Sequence, residues 1–192
     1  MTFLTTVNRS LLWLQPLTAI CMIVAAGITR ADPAPWILVD THTATVSVNV
    51  ADRTLETFDG IAIGRNGTAK NHFEGDGKTP LGTFEVAWIN DKSNYHLFFG
   101  LNYPTRERAE RAFRSHLIDL KTYLDIQLAF DKHEVPPQDT PLGGFIGIHG
   151  LGKADPAIHE SANWTKGCVA LTDSQIERLA TWIKPGTKVV IR

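Results

Sequence analysis

Short apolar segments separated by turn-forming residues dominate the first half of this sequence. Residues 36–39 and 44–50 are rich in β-branched side chains, and residues 54–63 follow a similar pattern. Runs of this length between glycine and asparagine residues are typical of β-strands. Residues 64–67 close the third run with an Asn-Gly pair, which favours a hairpin turn. This part of the chain is therefore predicted to form β-structure.

The second half mixes helical and strand patterns. Residues 105–132 are predicted to form one long helix or two shorter ones, with Thr105 as the N-cap. Residues 145–149 form a short apolar run that predicts a strand, and residues 150–165 are predicted to form a polar loop. A second helical region begins after Thr172, which has the spacing of a capping box with Gln175.

Two further strands complete the predicted fold. Pro80 and Gly82 shape a turn that leads into a strand ending near Val86, and residues 187–191 read as a last strand. The expected fold class is mainly β with packed helices (α+β), a twisted sandwich or partly closed sheet.

Length and charge restrict what the chain can do. Its 192 residues correspond to one domain of ordinary size. Nineteen basic and twenty acidic residues give a net charge of −1, and no run of Lys or Arg could neutralise a line of phosphates. Nucleic acid is therefore not an expected partner.

The N-terminal segment differs from the rest of the chain. Within residues 1–31 the only charged side chains are Arg9 and Arg30, with an uncharged, largely apolar stretch between them. This pattern predicts a signal peptide, cleaved after Ala31, or an uncleaved N-terminal anchor. Residues 32–35 are interpreted as a linker and residues 36–192 as the exported domain, located in the periplasm or cell envelope. Contact with a membrane is expected only through an uncleaved N-terminal segment.

The two cysteines fall on either side of this boundary. Cys21 lies in the leader, which leaves Cys168 as the only cysteine of the domain. A lone thiol in an oxidising compartment is buried, paired with another chain or used as a nucleophile. Gly167 leaves room for a substrate carbonyl beside Cys168, and the N–H groups of both residues are candidate oxyanion donors. His149 ends a predicted strand and is the candidate base, although a core histidine would give the same pattern.

These residues resemble the YkuD-type L,D-transpeptidases of bacterial cell walls, whose pattern is His-Gly, a loop, and Ser/Thr-His-Gly-Cys. Here the pattern consists of His149-Gly150, a loop reaching Trp164, and residues 165–168 with the sequence Thr-Lys-Gly-Cys. Residues 78–84, 95–104 and 170–189 also resemble the family. Lys166 replaces the second histidine, and Ala170 stands where many members carry Arg or Asn. With these two departures, the sequence resembles a subgroup of the family whose motif ends in Thr-x-Gly-Cys-x-Ala-Leu. This subgroup includes hydrolytic members.

The resemblance implies an L,D-transpeptidase-like catalytic β-sandwich that acts on peptidoglycan stem peptides in cell wall biogenesis and cell shape. Cys168 would attack the carbonyl of the third residue, typically a diamino acid, with His149 as base. An amine would resolve the acyl-enzyme, and a wall-attached lipoprotein is one candidate acceptor. Two alternatives stay open: a hydrolase on the same fold, acting as an L,D-carboxypeptidase or an endopeptidase, and a noncatalytic envelope-binding module.

Five residues are candidates for substrate binding. Lys166 either favours the thiolate by its charge or points into water. The other four come from the segments that resemble the family, and they are Gly150, Trp164, His96 and Tyr103. No cofactor is expected, and no His or Cys spacing indicates a metal site.

Overall fold

The structure is a computed structural model, and it describes residues 1–2 and 33–192. The predicted leader and Cys21 therefore lie outside the described residues, apart from the first two positions. No helix in the described part of the chain is long and apolar enough to cross a membrane.

Most of the regular structure is β-strand, as the sequence predicts. The first five strands are β1 (Trp36–Asp40), β2 (Thr45–Val50), β3 (Arg53–Asp59), β4 (Thr68–Ala69) and β5 (Thr79–Pro80). The other five are β6 (Gly82–Ser93), β7 (His96–Leu101), β8 (Gly147–His149), β9 (Val169–Ala170) and β10 (Lys188–Ile191). The helices are α1 (Arg106–Arg114), α2 (Leu120–Asp131), α3 (Pro156–Ser161) and α4 (Asp173–Ala180).

Eight of these strands form one mixed sheet in the order β3-β2-β1-β10-β6-β7-β8-β9. The pairs β1–β10 and β8–β9 are parallel, whereas the other neighbours are antiparallel. The long strand β6 belongs to both halves of the sheet, and its pairing with β7 contains two register shifts. Irregularities of this kind bend a strand and increase its twist.

The sheet curves far enough for its two edges to approach each other. After β3 the chain turns at Gly60, and Ala62 pairs with Ala170 of β9. The Ala62 N–H donates to the Ala170 carbonyl at 3.0 Å, and the Ala170 N–H donates back at 2.8 Å. The predicted class, mainly β with packed helices, is confirmed, and the sheet is partly closed.

The helices begin where side-chain caps stop the extended chain. Thr105 accepts from the Arg108 N–H at the start of α1, as predicted. Asp119 caps a separate helix α2, so residues 105–132 form two helices. Thr172 and Gln175 form the predicted capping box of α4, in which each side chain satisfies a backbone donor of the first turn.

The main hydrophobic core lies between the sheet and α4. Strand residues such as Phe99 and Leu101 are fully or almost fully buried there together with Ile176 and Leu179 of α4. A smaller cluster joins α1 and α2 through buried residues that include Ala109 and Ile126. Each helix therefore buries one side against the domain.

The structure differs from the sequence-based prediction at several points: β6 continues past Val86 to Ser93, β8 begins only at Gly147, and three further differences follow. The third strand ends at Asp59, because Gly60 adopts a positive φ of 71° and turns the chain away. The loop at 150–165 contains the six-residue helix α3, which Asp155 caps at Pro156. Strand β7 was not predicted, because Gly100 interrupts its apolar run. A Cβ at Gly100 would lie 2.1 Å from the Trp88 ring, so the strand needs this glycine.

The burial of Leu101 leads to a stability prediction. Leu101 is 0% exposed, so Leu101→Ala should leave a cavity and lower the free energy of unfolding by about 2–5 kcal/mol. Leu128 on α2 is 49% exposed, and Leu128→Ala should change it by no more than about 0.5 kcal/mol. Chemical denaturation measures both values. Equal effects of the two substitutions would contradict the placement of the core.

Candidate active site

Cys168 lies directly before β9, and the turn that precedes it fixes its backbone. The Thr165 hydroxyl donates to the Cys168 carbonyl at 2.7 Å and accepts from the Gly167 N–H at 3.1 Å. Gly167 has a φ of 147°, and a Cβ there would lie 3.0 Å from the Lys78 carbonyl oxygen. A glycine is therefore required at this position. The Cys168 side chain itself is half-buried.

The Gly167 hydrogen bond corrects one sequence-based expectation. The N–H groups of Gly167 and Cys168 were both candidate oxyanion donors, but the Gly167 N–H is bonded to Thr165. The Cys168 N–H has no hydrogen bond to a described residue. Of the two predicted donors, only the Cys168 N–H is available for a developing oxyanion.

His149 ends β8 and is almost completely buried, with 2% of its surface exposed. Its Nδ1 atom lies 2.6 Å from the carbonyl oxygen of Gly150. A carbonyl oxygen only accepts, so Nδ1 carries the proton and Nε2 has a free lone pair. His149 is therefore held in the tautomer that a general base needs.

Three aromatic rings surround the imidazole. Tyr95 stacks on His149 with 4.3 Å between ring centroids, and Phe98 stacks at 6.1 Å on the neighbouring strand β7. Trp164 approaches at 5.8 Å with its ring at 68° to the imidazole. The Trp164 Nε1–H donates to Nδ1 of the buried His159 at 3.3 Å, which fixes the indole. These contacts leave the imidazole few orientations.

The β8–β9 pairing brings Cys168 and His149 to the same face of the sheet. Ile148 pairs with Val169 and His149 with Ala170 in parallel register. Side chains alternate along each strand, so Cys168 points to the same side as Ala170 and hence as His149. Both residues line one open cleft of about 770 Å³.

The thiol and the imidazole are both uncharged at neutral pH. Burial raises the pKa of Cys168 to about 11, although the Gly147 N–H bonds to the sulfur and favours the thiolate. Burial lowers the pKa of His149 to about 4, against the opposite effect of its bond to Gly150. The Cys168 Sγ–H donates to the Phe145 carbonyl at 3.2 Å. A nucleophilic role for Cys168 would therefore require a base to remove the thiol proton, and His149 on the same cleft presents an unprotonated Nε2.

Asp173 is a supporting residue that the sequence analysis missed. Its Oδ1 atom accepts from the N–H groups of Leu151 at 2.7 Å and Gly152 at 2.9 Å. A Cβ at Gly150 would lie 2.5 Å from the same oxygen. Asp173 thereby fixes the direction of the Gly150 carbonyl that orients His149. Its position in the first turn of α4 is the one sequence signal that it carries.

The structure separates the five candidate substrate-binding residues. Trp164 and Lys166 line the cleft. Gly150 lies behind His149 and contributes its carbonyl to the imidazole. His96 and Tyr103 do not line the cleft. The His96 ring pairs with Glu177 of α4 at 2.7 Å, and Tyr103 is 2% exposed with its hydroxyl bound to two backbone carbonyls. The candidate roles of these two residues in substrate binding are corrected accordingly.

The chain between Gly64 and Lys78 forms a wall of the cleft that the sequence did not indicate. It contributes Arg65, His72 and Glu74 to the lining. His72 is 2% exposed, and its Nδ1 atom lies 2.7 Å from the Asp76 carboxylate. Burial lowers the pKa of His72 despite this neighbour. The described residues contain no cluster of three or more His, Cys, Asp or Glu side chains that could hold a metal ion.

The site combines a thiol, an imidazole held in one orientation and an open cleft. A comparison with known protein families agrees with this combination. The family model of the YkuD L,D-transpeptidase catalytic domain matches residues 34–191. The chain therefore belongs to this family. No curated protein sequence matches it.

Solved structures show the same fold. The helical cell shape determining protein Pgp2 from Campylobacter jejuni is 22% identical with a TM-score of 0.57, over 84% of this chain and 48% of that one. Bd1075 from Bdellovibrio bacteriovorus is 23% identical with a TM-score of 0.50, over 86% and 50%. This chain thus spans about half the length of these structures.

The raised pKa of Cys168 predicts how its alkylation depends on pH. Because the thiol has a pKa of about 11, the rate of iodoacetamide alkylation should rise about tenfold per pH unit through pH 7–10. Mass spectrometry of the peptide that contains Cys168 follows its alkylation separately from the alkylation of Cys21. In denaturant the ordinary thiol pKa should return, with faster alkylation at pH 8. A rate plateau below pH 8 in the folded protein would contradict this.

The lowered pKa of His149 predicts acid destabilisation. The unfolded chain has the higher histidine pKa, so it binds more protons than the folded chain between about pH 6.5 and pH 4. The free energy of unfolding should therefore fall as the pH decreases through this range, by about 3 kcal/mol from His149 alone. His149→Gln should reduce the pH dependence, whereas His133→Gln, at an exposed position, should leave it unchanged. Denaturant titrations at each pH measure the slopes, and equal slopes for the two variants would contradict the assignment.

Proposed function

We propose that this protein is a cysteine acyltransferase that acts on peptidoglycan stem peptides. The observation that carries the proposal is that Cys168 and His149 line one open cleft, with the His149 tautomer fixed by the Gly150 carbonyl. Membership of the YkuD family supports the reaction type. Its substrate places the proposed site of action in the cell envelope, which agrees with the expected leader at residues 1–31.

The first half of the reaction forms a thioester. The Cys168 sulfur attacks the carbonyl carbon of the third stem residue, while His149 Nε2 takes the thiol proton. The N–H of Cys168 is the available donor for the oxyanion of the tetrahedral intermediate. When that intermediate collapses, the bond to the terminal D-alanine breaks, and the imidazolium gives its proton to the leaving amine.

The second half returns the free thiol. An acceptor amine attacks the thioester carbonyl and His149 takes the amine proton, so that an amide forms and the Cys168 thiolate leaves. The imidazolium then protonates the thiolate. A lysine of a wall-attached lipoprotein would react as such an amine. Water attacking the same thioester would instead release a tripeptide acid.

Substitutions at the two central residues test the proposal. Cys168→Ala should abolish turnover of a disaccharide-tetrapeptide, and His149→Ala should reduce it by a factor on the order of 10²–10⁴. Mass spectrometry with and without an acceptor amine detects the released D-alanine and distinguishes amide from acid products. Lys132→Gln, at an exposed end of α2, is a matched control that should keep full activity.

A second readout isolates the acyl-enzyme. A carbapenem presents a strained amide carbonyl, and it should add one drug mass at Cys168 but none in Cys168→Ala. If the folded protein gains no mass from several carbapenems and releases no D-alanine, the acyltransferase proposal is rejected. A noncatalytic envelope-binding module would then explain the fold better.

A further inference from the structure

Two cations on one rim of the cleft have no assigned role. Arg65 and Lys166 both line the cleft of Cys168. Among the described residues, neither has a carboxylate partner within 4 Å, whereas five other Lys or Arg side chains form ion pairs. The protein as a whole has a net charge of −1. Two positive charges without a carboxylate partner therefore line the cleft of a protein whose overall charge is slightly negative.

The backbone places these two residues next to each other. Gly64 pairs with Thr165 in a parallel bridge, and the Arg65 N–H donates to the Thr165 carbonyl at 2.9 Å. Arg65 and Lys166 are the residues that directly follow this bridged pair. The Gly64 N–H also donates to the buried Thr79 hydroxyl at 2.8 Å. This bond fixes the backbone that carries Arg65.

The Arg65 side chain lies over Gly77. The Arg65 Nε and Cγ atoms lie 3.2 Å and 3.3 Å from the position that a Cβ on Gly77 would occupy. Gly77 has a φ of 66°, which glycine adopts without strain, and the missing side chain leaves space for the guanidinium stem. Arg65 is thus packed along the wall of the cleft, and its planar group can bind a carboxylate through two N–H donors.

Glu74 restricts where an anionic group can bind. Its Oε2 atom lies 3.3 Å from the position of a Cβ on Gly143, beside His72, and it has no ion-pair partner within 4 Å among the described residues. A carboxylate near Glu74 would be repelled, whereas one near Arg65 and Lys166 would be attracted. The charges on the cleft therefore favour one position for an anion.

We propose that Arg65 and Lys166 form a carboxylate-binding subsite for the acyl donor. This inference rests on the proposed function, because it takes the donor to be a stem peptide. Such a peptide offers two carboxylates near the scissile bond, one on the side chain of the diamino acid and one on the terminal D-alanine. Either carboxylate could bind to the two cations. Amidating one carboxylate at a time shows which of the two is recognised.

Binding to a catalytically silent protein gives the direct test. In the full chain carrying Cys168→Ala, calorimetry measures the Kd of a tetrapeptide with diaminopimelate as third residue, and of the two forms amidated at one carboxylate. We expect Arg65→Gln to weaken binding of the free acid by roughly tenfold, with a similar loss for Lys166→Gln. Arg53→Gln, on strand β3 outside the cleft, is the matched control and should bind as the parent does.

The amidated peptides complete a double-mutant cycle. Amidating the recognised carboxylate should weaken binding to the Cys168→Ala parent by a similar factor, but should change binding to the Arg65→Gln form less than about twofold. The amidated peptide that binds more weakly to the parent, but not to the Arg65→Gln form, identifies which carboxylate the subsite recognises. If Arg65→Gln and Lys166→Gln weaken both amides as much as the acid, or if neither changes any Kd, the subsite is refuted. Absence of binding by every peptide also refutes it.

The intact thiol separates this inference from the proposed function. If the peptides bind with the expected carboxylate dependence but wild-type protein forms no acyl-enzyme, the subsite stands and the acyltransferase proposal fails. If acyl-enzyme forms at the same rate from acid and amide donors, and Arg65→Gln leaves that rate and the Kd unchanged, the acyltransferase stands and the subsite fails.

Discussion

The parallel pairing of β8 with β9 is the interaction on which the site depends. Cys168 and His149 are nineteen positions apart in the sequence, and this pairing alone places their side chains on one face. A register shift of one residue would turn Cys168 to the other face of the sheet. Since β9 has only two residues, its register needs support from outside. Ala62 supplies that support along the other edge of β9, and Thr165 fixes the turn before it.

Glycines in the neighbouring strands give the cleft its depth. Gly100 of β7 pairs with Gly147 of β8. The Trp88 ring occupies the space over Gly100, and Phe98 lies 2.5 Å from the position of a Cβ on Gly147. The aromatic side chains can therefore lie flat across the sheet beside the thiol. Any larger residue at either glycine would displace a ring that shapes the cleft.

The sequence indicated the candidate nucleophile and base more readily than the residues around them. Cys168 and His149 could be identified because a lone cysteine after glycine and a His-Gly pair have a recognisable order and spacing. The capping box of α4 was equally readable, because its signal is local. Arg65, His72 and Asp173 could not be found in this way, since their roles depend on contacts made across the sheet. Tyr103 was misplaced for the same reason: its motif gives no sign that two backbone carbonyls bind its hydroxyl in the core.

Burial of the catalytic pair has a cost and a benefit. The raised pKa of the Cys168 thiol leaves less thiolate at neutral pH than the ordinary value would. In the proposed mechanism, attack requires proton transfer to His149, whose own pKa of about 4 makes it a weak base. Oxidation and disulfide exchange also proceed through the thiolate, so the same burial protects a cysteine that has no partner in the domain. For the proposed acyltransferase, a nucleophile that stays protonated until a substrate carbonyl is in place would be both durable and selective.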